Sequence, residues 1–265
     1  MQINGLDLHV VDEGNSDVPL VLVHGFTGGV SDWDDVAPTL AKTRRVIRYS
    51  HRGHAESQNT GDQSSYTFTQ LSDDLAALVD ALGLGRFDLL GHSMGGATVM
   101  RYVLDHPERV RSLILMDTAA EPQNALPMDL IEGLAQQGRE QGMQVVVEVM
   151  APFIGALQDK LSPERRQQLA DRYGPKMANM DPEAFVAFAR GLNEYPSMVA
   201  QLKTITCPTT VIVGENDTGL RDGSDVMARE IPGAQLVAIP GAGHSPQEDD
   251  PDAWLEAVEA HLTRV

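Results

Sequence analysis

Short, continuously apolar segments alternate along this chain with longer segments in which apolar residues recur at helical spacing. Residues 20–23 are apolar at every position, as parallel strands buried on both faces are. Between Phe68 and Leu82 the apolar residues instead return every three or four positions, which predicts an amphipathic helix that Gly83 ends. This alternation predicts an α/β fold, built on a mostly parallel sheet with helices on both faces.

The same criteria place the remaining elements. Strands are predicted at residues 6–11, 20–23, 45–49, 88–90, 112–116, 209–213 and 235–239. Helices are predicted after a cap at Ser31, after Thr67, between Ser93 and His106, near 224–230 and from Pro251. Apolar and polar residues alternate within 6–11, which is typical of a half-buried strand at a sheet edge.

The pattern changes from about residue 120 to residue 202, where prolines interrupt helical stretches and no convincing strand occurs. The Val-Val-Val run at 145–147 resembles a strand, and we interpret it as helix. A helical block inside an α/β chain is typical of a cap over the carboxyl edge of the sheet. We therefore predict a core made of residues 1–119 and 203–265, with an inserted helical cap at 120–202.

Charge and composition narrow the range of partners. The 265 residues carry a formal net charge of −18, which a nucleic acid or an anionic membrane would repel. Cys207 is the single cysteine, so the chain holds no intrachain disulfide and no cysteine metal cluster. No apolar run approaches the ~20 residues of a membrane helix, and the amino terminus does not read as a signal peptide. These features predict a soluble, cytoplasmic protein and leave its oligomeric state open.

Candidate chemistry begins at residues 88–96, where a buried apolar strand runs through Gly-His-Ser-Met-Gly into a helix. A serine at such a strand–helix turn is the nucleophile elbow of serine hydrolases. Gly91 and Gly95 lie where a β-carbon would collide with backbone, and Ser93 must adopt a strained conformation. The pattern G-x-S-x-G occurs by chance in roughly one chain of this composition in ten, so its position must support it.

Polar residues follow the ends of several predicted strands, where open parallel sheets bind their ligands. The four segments with candidate chemistry are residues 24–26, 91–93, 214–217 and 241–244. Their order along the chain is nucleophile, then acid, then histidine, which is the order found in α/β-hydrolases. All four segments in this order would occur by chance far less often than the G-x-S-x-G pattern alone.

The chain resembles the α/β-hydrolases of the capped, single-domain type along nearly its full length. The motifs that carry the resemblance are His-Gly-Phe at 24–26, Arg-Gly-His at 52–54, Gly-His-Ser-Met-Gly-Gly at 91–96, Gly-Glu-Asn-Asp at 214–217 and Gly-His at 243–244. Together they are specific for the fold and for a catalytic triad, and they say little about substrate. The resemblance implies the α/β-hydrolase fold with a helical cap.

A triad follows from the motifs and the resemblance. Ser93 needs an adjacent base, and His244 fits because its Gly-rich loop follows a strand. The base needs an acid to orient it, and Asp217 occupies the family's position. Asp117 is the alternative acid, because it also follows a strand and some relatives place the acid there. The resemblance further implies backbone N–H groups of Phe26 and Met94 as the oxyanion hole, with no metal and no cofactor.

One motif departs from the family's D-x-R-G-H-G-x-S pattern. Ser50 replaces the aspartate and Ala55 replaces the second glycine, so we expect Arg52 to lack the carboxylate partner that relatives have. The remaining histidines are assigned by position. We expect structural roles for His24 and His92, solvent-facing or supporting roles for His51 and His54, and surface positions for His9, His106 and His261.

The predicted cap is rich in methionine and phenylalanine, which suits an apolar pocket. The pocket candidates are Met128, Met150, Phe153, Phe185 and Phe188. Each residue alone is as well explained by packing of cap helices on the core. The cap arginines are candidates for binding a substrate carboxylate, although each is also explained as a solvated helix charge: Arg139, Arg165, Arg166, Arg172 and Arg190.

These observations predict a serine esterase that cleaves small, largely apolar carboxylic esters with water and no cofactor. The resemblance extends to enol-lactonases, carbon–carbon bond hydrolases of aromatic degradation and cofactor-free perhydrolases, which stay open as alternatives. A receptor that retains the triad is the alternative from another class, because fold does not fix function. Haloalkane dehalogenases and epoxide hydrolases are disfavoured, because they use an aspartate where this chain has Ser93.

Overall fold

Seven strands form the main sheet of the computed structural model, which describes residues 1–123, 126–157 and 161–265, with side chains except at 153–157. Two short strands, β1 (Gln2–Ile3) and β2 (Leu6–Asp7), form a separate hairpin. The strands of the main sheet are β3 (Val10–Glu13), β4 (Leu20–Val23), β5 (Val46–Tyr49), β6 (Phe87–His92), β7 (Val110–Met116), β8 (Thr209–Gly214) and β9 (Gln235–Ile239). The order across the sheet is β3-β5-β4-β6-β7-β8-β9, and only β3 is antiparallel to its neighbour. The predicted α/β fold is confirmed.

The helices lie between these strands. They are α1 (Ala37–Leu40), α2 (Phe68–Ala81), α3 (Met94–Asp105), α4 (Met128–Gln141), α5 (Gln144–Leu157), α6 (Pro163–Ala178), α7 (Pro182–Glu194), α8 (Arg221–Glu230), α9 (Pro246–Asp249) and α10 (Pro251–Arg264). Thr67 caps α2 as predicted, since its side chain accepts a hydrogen bond from the Gln70 amide. In the described part of the chain, no helix is both long and apolar enough to span a bilayer.

Two local predictions are wrong. Residues 6–11 do not form one strand, because Leu8 N bonds Met1 in the β1–β2 hairpin whereas His9 O accepts from Ser50 in the main sheet. The chain changes partners between these two residues, which splits the strand. Ser31 does not cap a helix either: it lies inside a 3-10 helix, Val30–Trp33, that begins after Gly29.

Four helices, α4 to α7, fill the chain between β7 and β8, and the described residues of this interval contain no strand. The run at 145–147 lies in α5, as predicted. Within the group α4 packs against α7, and α5 packs against both α4 and α6. Their apolar residues form a cluster that includes Phe26 and Met94 of the core. The division into core and cap remains a prediction.

Arg52 has a carboxylate partner, so the expectation based on Ser50 is wrong. Nε and Nη2 of Arg52 donate to the two carboxylate oxygens of Asp74 at 2.6 and 2.7 Å. Both side chains are buried, and Nη1 of Arg52 also donates to the Ser65 carbonyl at 3.0 Å. Asp74 belongs to α2 and lies 22 residues further along the chain. A helix therefore supplies the charge that the loop motif lacks.

Ser50 and Ala55 take other roles in the same loop. The Ser50 hydroxyl accepts a hydrogen bond from the Val30 amide at 3.2 Å, and its carbonyl accepts from Ser57 at 2.6 Å. Ala55 has a φ of 48°, a left-handed conformation that the family's glycine adopts without a steric cost. The loop thus keeps a shape suited to glycine while carrying a β-carbon.

His261 is buried, with 2% of its surface exposed, so its predicted surface position is wrong. It lies on α10, where Nδ1 is 2.8 Å from the Thr210 hydroxyl and Nε2 has no hydrogen-bond partner among the described residues. Burial lowers the pKa of this imidazole to about 4. The amphipathic pattern of α10 does place Trp254, Val258 and Leu262 in the core, as predicted.

Replacing His261 with leucine should make the free energy of unfolding fall less steeply as the pH is lowered. The unfolded imidazole binds a proton below pH ~6.5, whereas the folded one binds it only near pH 4, so unfolding takes up a proton between these values. This group therefore costs stability as the pH falls, by about 3 kcal/mol at pH 4. Urea unfolding of both proteins across this range should show the His261→Leu variant gaining relative stability toward acid. A difference that stays constant with pH would contradict the assignment.

Candidate active site

Ser93 lies at a sharp turn between β6 and α3. Its φ of 53° and ψ of −118° are unusual for a residue with a β-carbon, as the elbow motif predicts. A β-carbon at Gly91 would lie 2.5 Å from the Gly95 carbonyl oxygen, and one at Gly95 would collide with the backbone of Val23 and His24. The two glycines let the helix, the strand and the neighbouring loop approach closely enough to hold the turn.

The side chains of Ser93, His244 and Asp217 form one chain of hydrogen bonds. His244 Nε2 is 3.0 Å from Ser93 Oγ, and His244 Nδ1 is 2.7 Å from Asp217 Oδ2. Asp217 is an acceptor when ionised, which assigns the proton to Nδ1 and leaves Nε2 to accept from the serine hydroxyl. Burial acts to raise the pKa of Asp217, but its hydrogen bond to His244 and its electrostatic interaction with that ring bring the pKa below its ordinary value. Asp217 is therefore ionised at neutral pH.

Several groups hold the loop that carries His244. The ring of His92 donates from Nε2 to the His244 carbonyl at 2.7 Å, and the Gly243 amide donates to Asp249 at 2.7 Å. Burial lowers the pKa of His92 to about 4, so the ring is neutral at neutral pH. Sequence reasoning gave His92 a structural role. Its partner was not predictable, because the two histidines are 152 residues apart.

The backbone amides of Phe26 and Met94 lie on the two segments that flank Ser93. Gly25 approaches the serine so closely that an added β-carbon would be 3.0 Å from Ser93 Cβ. Met94 is the first residue of α3, where backbone N–H groups lack partners within the helix. Neither amide donates a hydrogen bond within the described part of the chain. Both N–H groups therefore remain available to an acceptor.

Three buried histidines support the loop that contains Phe26. His24 accepts a hydrogen bond at Nε2 from the His51 amide at 2.9 Å, and its Nδ1 donates to the Gly25 carbonyl at 2.7 Å. His51 and His54 are also buried, which excludes the solvent-facing alternative for both. Burial lowers the pKa values of all three rings. The rings are therefore neutral at neutral pH, and His24 fixes the turn at Gly25.

The pocket candidates with described side chains belong to one apolar cluster together with Phe26 and Met94. Phe185 stacks on Phe26 with 5.4 Å between ring centroids and is almost fully buried. Phe188 is fully buried and packs against His54 and Tyr66. The two methionines, Met128 and Met150, are partly buried at the edge of the cluster. The side chain of Phe153 lies outside the described residues.

Ionic contacts join α6 to the segment that follows the Phe26 loop. Arg165 and Arg172 bind the Asp35 carboxylate at 2.5 and 2.7 Å, and Lys176 forms an ion pair with the buried Asp32. The hydrogen bond from Arg172 is the main cause that lowers the pKa of Asp35 to about 2. Two more of the cap arginines also bind acids, Arg139 with Glu183 and Arg190 with Glu132. Sequence reasoning missed Asp32 and Asp35.

Asp117, the alternative acid, follows β7 and is fully buried. Its Oδ1 accepts a hydrogen bond from the Gly214 amide at 2.8 Å. The carboxylate that is hydrogen-bonded to His244 Nδ1 belongs to Asp217 and not to Asp117. The two aspartates therefore lie in one site and have different partners.

Comparison with known proteins gives consistent matches. The family model described as alpha/beta hydrolase fold matches residues 18–251. A thermophilic esterase from Thermogutta terrifontis superimposes with a TM-score of 0.84 and 31% identity, over 98% of this chain and 94% of that chain. The enol-lactonase from Burkholderia xenovorans LB400 has a TM-score of 0.84 and 25% identity, with 99% of both chains covered.

A curated relative adds a third activity. The 2-hydroxy-6-oxononadienedioate/2-hydroxy-6-oxononatrienedioate hydrolase 1 of Pseudomonas putida is 30% identical over 97% of this chain and 92% of its own length. The interval matched by the family model contains β4 to β9 and the loops that carry Ser93, Asp217 and His244. The three proteins are named for different substrates, so they agree on a hydrolase and not on its substrate. This chain belongs to the α/β hydrolase fold family.

Proposed function

We propose that this protein is a serine hydrolase of small, largely apolar carboxylic esters. Ser93 is the nucleophile, His244 the general base and Asp217 the acid that orients the base. The observation that carries the proposal is the hydrogen-bond chain from Ser93 Oγ through His244 to Asp217, at 3.0 and 2.7 Å. It supplies both requirements for activating a serine at neutral pH, a base within reach and a fixed tautomer.

The proposed reaction proceeds in two halves. His244 Nε2 takes the Ser93 proton as Oγ attacks the ester carbonyl, and the Phe26 and Met94 amides bind the developing oxyanion. Removing one such donor typically costs roughly 3–4 kcal/mol of transition-state stabilisation. The imidazolium then protonates the leaving alcohol, which gives an acyl-enzyme. Water attacks this intermediate with His244 again as base, and the carboxylic acid leaves.

The apolar cluster around the nucleophile supports a neutral, apolar substrate. Phe26, Met94 and Phe185 lie beside the elbow, and a charged substrate group there would lose its hydration without a partner. Arg172 and Lys176 of α6 are each held by a carboxylate of the protein. Their charges are therefore already compensated, which favours esters over dicarboxylate substrates.

Labelling and turnover test this proposal together. A fluorophosphonate probe should modify Ser93, as identified by peptide mass, and p-nitrophenyl esters of short and medium acyl chains should be hydrolysed. Enol-lactones and ring-cleavage dienones belong in the same assay. A higher kcat/KM on a dienone or a lactone than on every ester would replace the ester proposal by that activity. Labelling of Ser93 would then still support the triad.

The receptor alternative predicts a different outcome. A triad kept only for ligand binding would give negligible turnover across the whole panel. It would also leave binding of an ester intact in a Ser93→Ala variant, since no covalent step is needed. Rapid hydrolysis by the wild-type protein excludes this alternative, whereas an inert wild-type protein that binds esters would contradict the proposed function.

A further inference from the structure

Asp117 occupies an unusual position beside the proposed triad. It is a non-glycine residue with a φ of 43°, at the carboxyl end of β7, and none of its surface is exposed. Oδ1 accepts a hydrogen bond from the Gly214 amide at 2.8 Å. Oδ2 is buried and accepts no hydrogen bond from a donor in the described part of the chain. A buried carboxylate oxygen without a partner is costly, so this oxygen needs an explanation.

Its surroundings are mostly acidic. One ligand atom each from Asp117, Asp217 and His244 lies within 4.8 Å of the others. Asp249 of α9, which accepts from the Gly243 amide, adds a further negative charge nearby. Both ring nitrogens of His244 already have partners, Asp217 and Ser93. No cation in the described residues pairs with Asp117, so two adjacent carboxylates share one positive partner at most.

We propose that Asp117 is a protonated carboxylic acid whose Oδ2–H faces Asp217 and donates a hydrogen bond to it, which makes Asp117 a positioning residue for the proposed triad. The inference rests on the proposed function. Two carboxyl groups this close, one fully buried and the other partly buried, do not both ionise, and the proton resides on the one that lacks a histidine partner. Asp217 is hydrogen-bonded to His244, whereas Asp117 accepts only from the Gly214 amide, which assigns the proton to Asp117.

Burial and charge both favour this protonation state. Burial raises the pKa of Asp117 well above its ordinary value, and the negative charges of Asp217 and Asp249 raise it further. The hydrogen bond from Gly214 acts in the opposite direction, and its effect on the pKa is smaller than that of burial but larger than that of either neighbouring charge. A neutral Asp117 would give the Asp217 carboxylate a second hydrogen bond, in addition to the one with His244. Asp117 would then fix the orientation of Asp217, which in turn orients His244.

The Asp117→Asn variant is the most direct test, because the amide keeps an acceptor for Gly214 and a donor for Asp217. It should retain kcat/KM for a p-nitrophenyl ester within about threefold, and the acid limb of its pH profile should not move. If Asp117 were ionised, the change would remove a negative charge within 4.8 Å of His244. The acid limb would then shift by about one pH unit or more, which would overturn the inference.

Two further variants separate positioning from other roles. Asp117→Leu has a similar size and no donor, and it should lower kcat by roughly tenfold to a hundredfold with little change in KM, as loss of orientation does. Asp217→Asn should lose about 10⁴-fold in kcat, as removal of a triad acid does. If Asp117→Asn is the inactive variant and Asp217→Asn remains active, Asp117 is the acid itself, and the inference fails while the Ser93 labelling still supports the hydrolase.

An infrared measurement detects the proton directly in the wild-type protein. Protein made with ¹³C-carboxyl aspartate should show the carbonyl band of a protonated aspartic acid at neutral pH, distinct from any glutamic acid. The band should disappear in Asp117→Asn. Absence of the band in the wild-type protein would overturn the inference whether or not the protein hydrolyses esters.

Discussion

Replacing Ser93 with alanine should lower kcat/KM for a short p-nitrophenyl ester by at least about 10⁴-fold, the largest effect on activity expected from a single substitution. The variant removes the atom proposed to form the acyl-enzyme, while His244 keeps its hydrogen bond to Asp217. Residual turnover would come from direct attack of water, assisted by the proposed oxyanion hole at the amides of Phe26 and Met94. Steady-state kinetics, with active-site titration by a fluorophosphonate, measures the loss.

A matched control distinguishes this loss from a general effect of removing a hydroxyl. Ser64 is exposed, and its hydroxyl hydrogen-bonds Asp62 at 2.7 Å on the surface. Ser64→Ala should retain wild-type kcat/KM and full labelling. Substantial esterase activity in purified Ser93→Ala would contradict the proposed nucleophile. Circular dichroism of both variants checks that the fold is unchanged.

The elbow and the sheet were predictable because short-range patterns determine them. A short, continuously apolar run such as Leu20–Val23, which follows a turn, is typical of a strand covered on both faces. Gly91 and Gly95 are required by contacts within the same strand–turn–helix unit. The loops that carry Asp217 and His244 then reach the same edge because the strands β4 to β9 all run parallel to one another. Local pattern and topology together predict where candidate residues meet.

Partners that depend on long-range packing were not predictable in this way. The carboxylate that binds Arg52 comes from α2, and no spacing rule connects it with the loop motif. Asp74 lies on the buried face of α2, among apolar residues, where a charge is tolerated only with a partner. In a sequence, an acidic residue on the apolar face of an amphipathic helix indicates that a cationic side chain from another segment packs against it. The same reasoning would have drawn attention to Asp32, which pairs with Lys176.

Replacing Asp74 with alanine should reduce the free energy of unfolding by about 3–5 kcal/mol, the largest effect on stability expected in this chain. The substitution leaves the Arg52 guanidinium buried with one remaining hydrogen bond, to Ser65, and also removes the acceptor for Asn4 Nδ2 at 2.9 Å. An uncompensated buried charge costs more than the ion pair itself contributes, because the desolvation penalty remains. Urea denaturation at neutral pH measures the change.

Asp80→Ala is the matched control, since Asp80 lies on the same helix and binds Arg109 at 2.9 Å with two-thirds of its side chain exposed. An exposed pair contributes about 1 kcal/mol or less, so this variant should unfold close to the wild-type midpoint. A double variant, Asp74→Ala with Arg52→Met, should recover part of the lost stability by removing the orphaned charge. Equal losses for Asp74→Ala and Asp80→Ala would mean that water reaches Arg52 in the folded protein. The loop that contains Arg52 would then depend on Ser50 and Ser57 for its conformation, not on the buried ion pair.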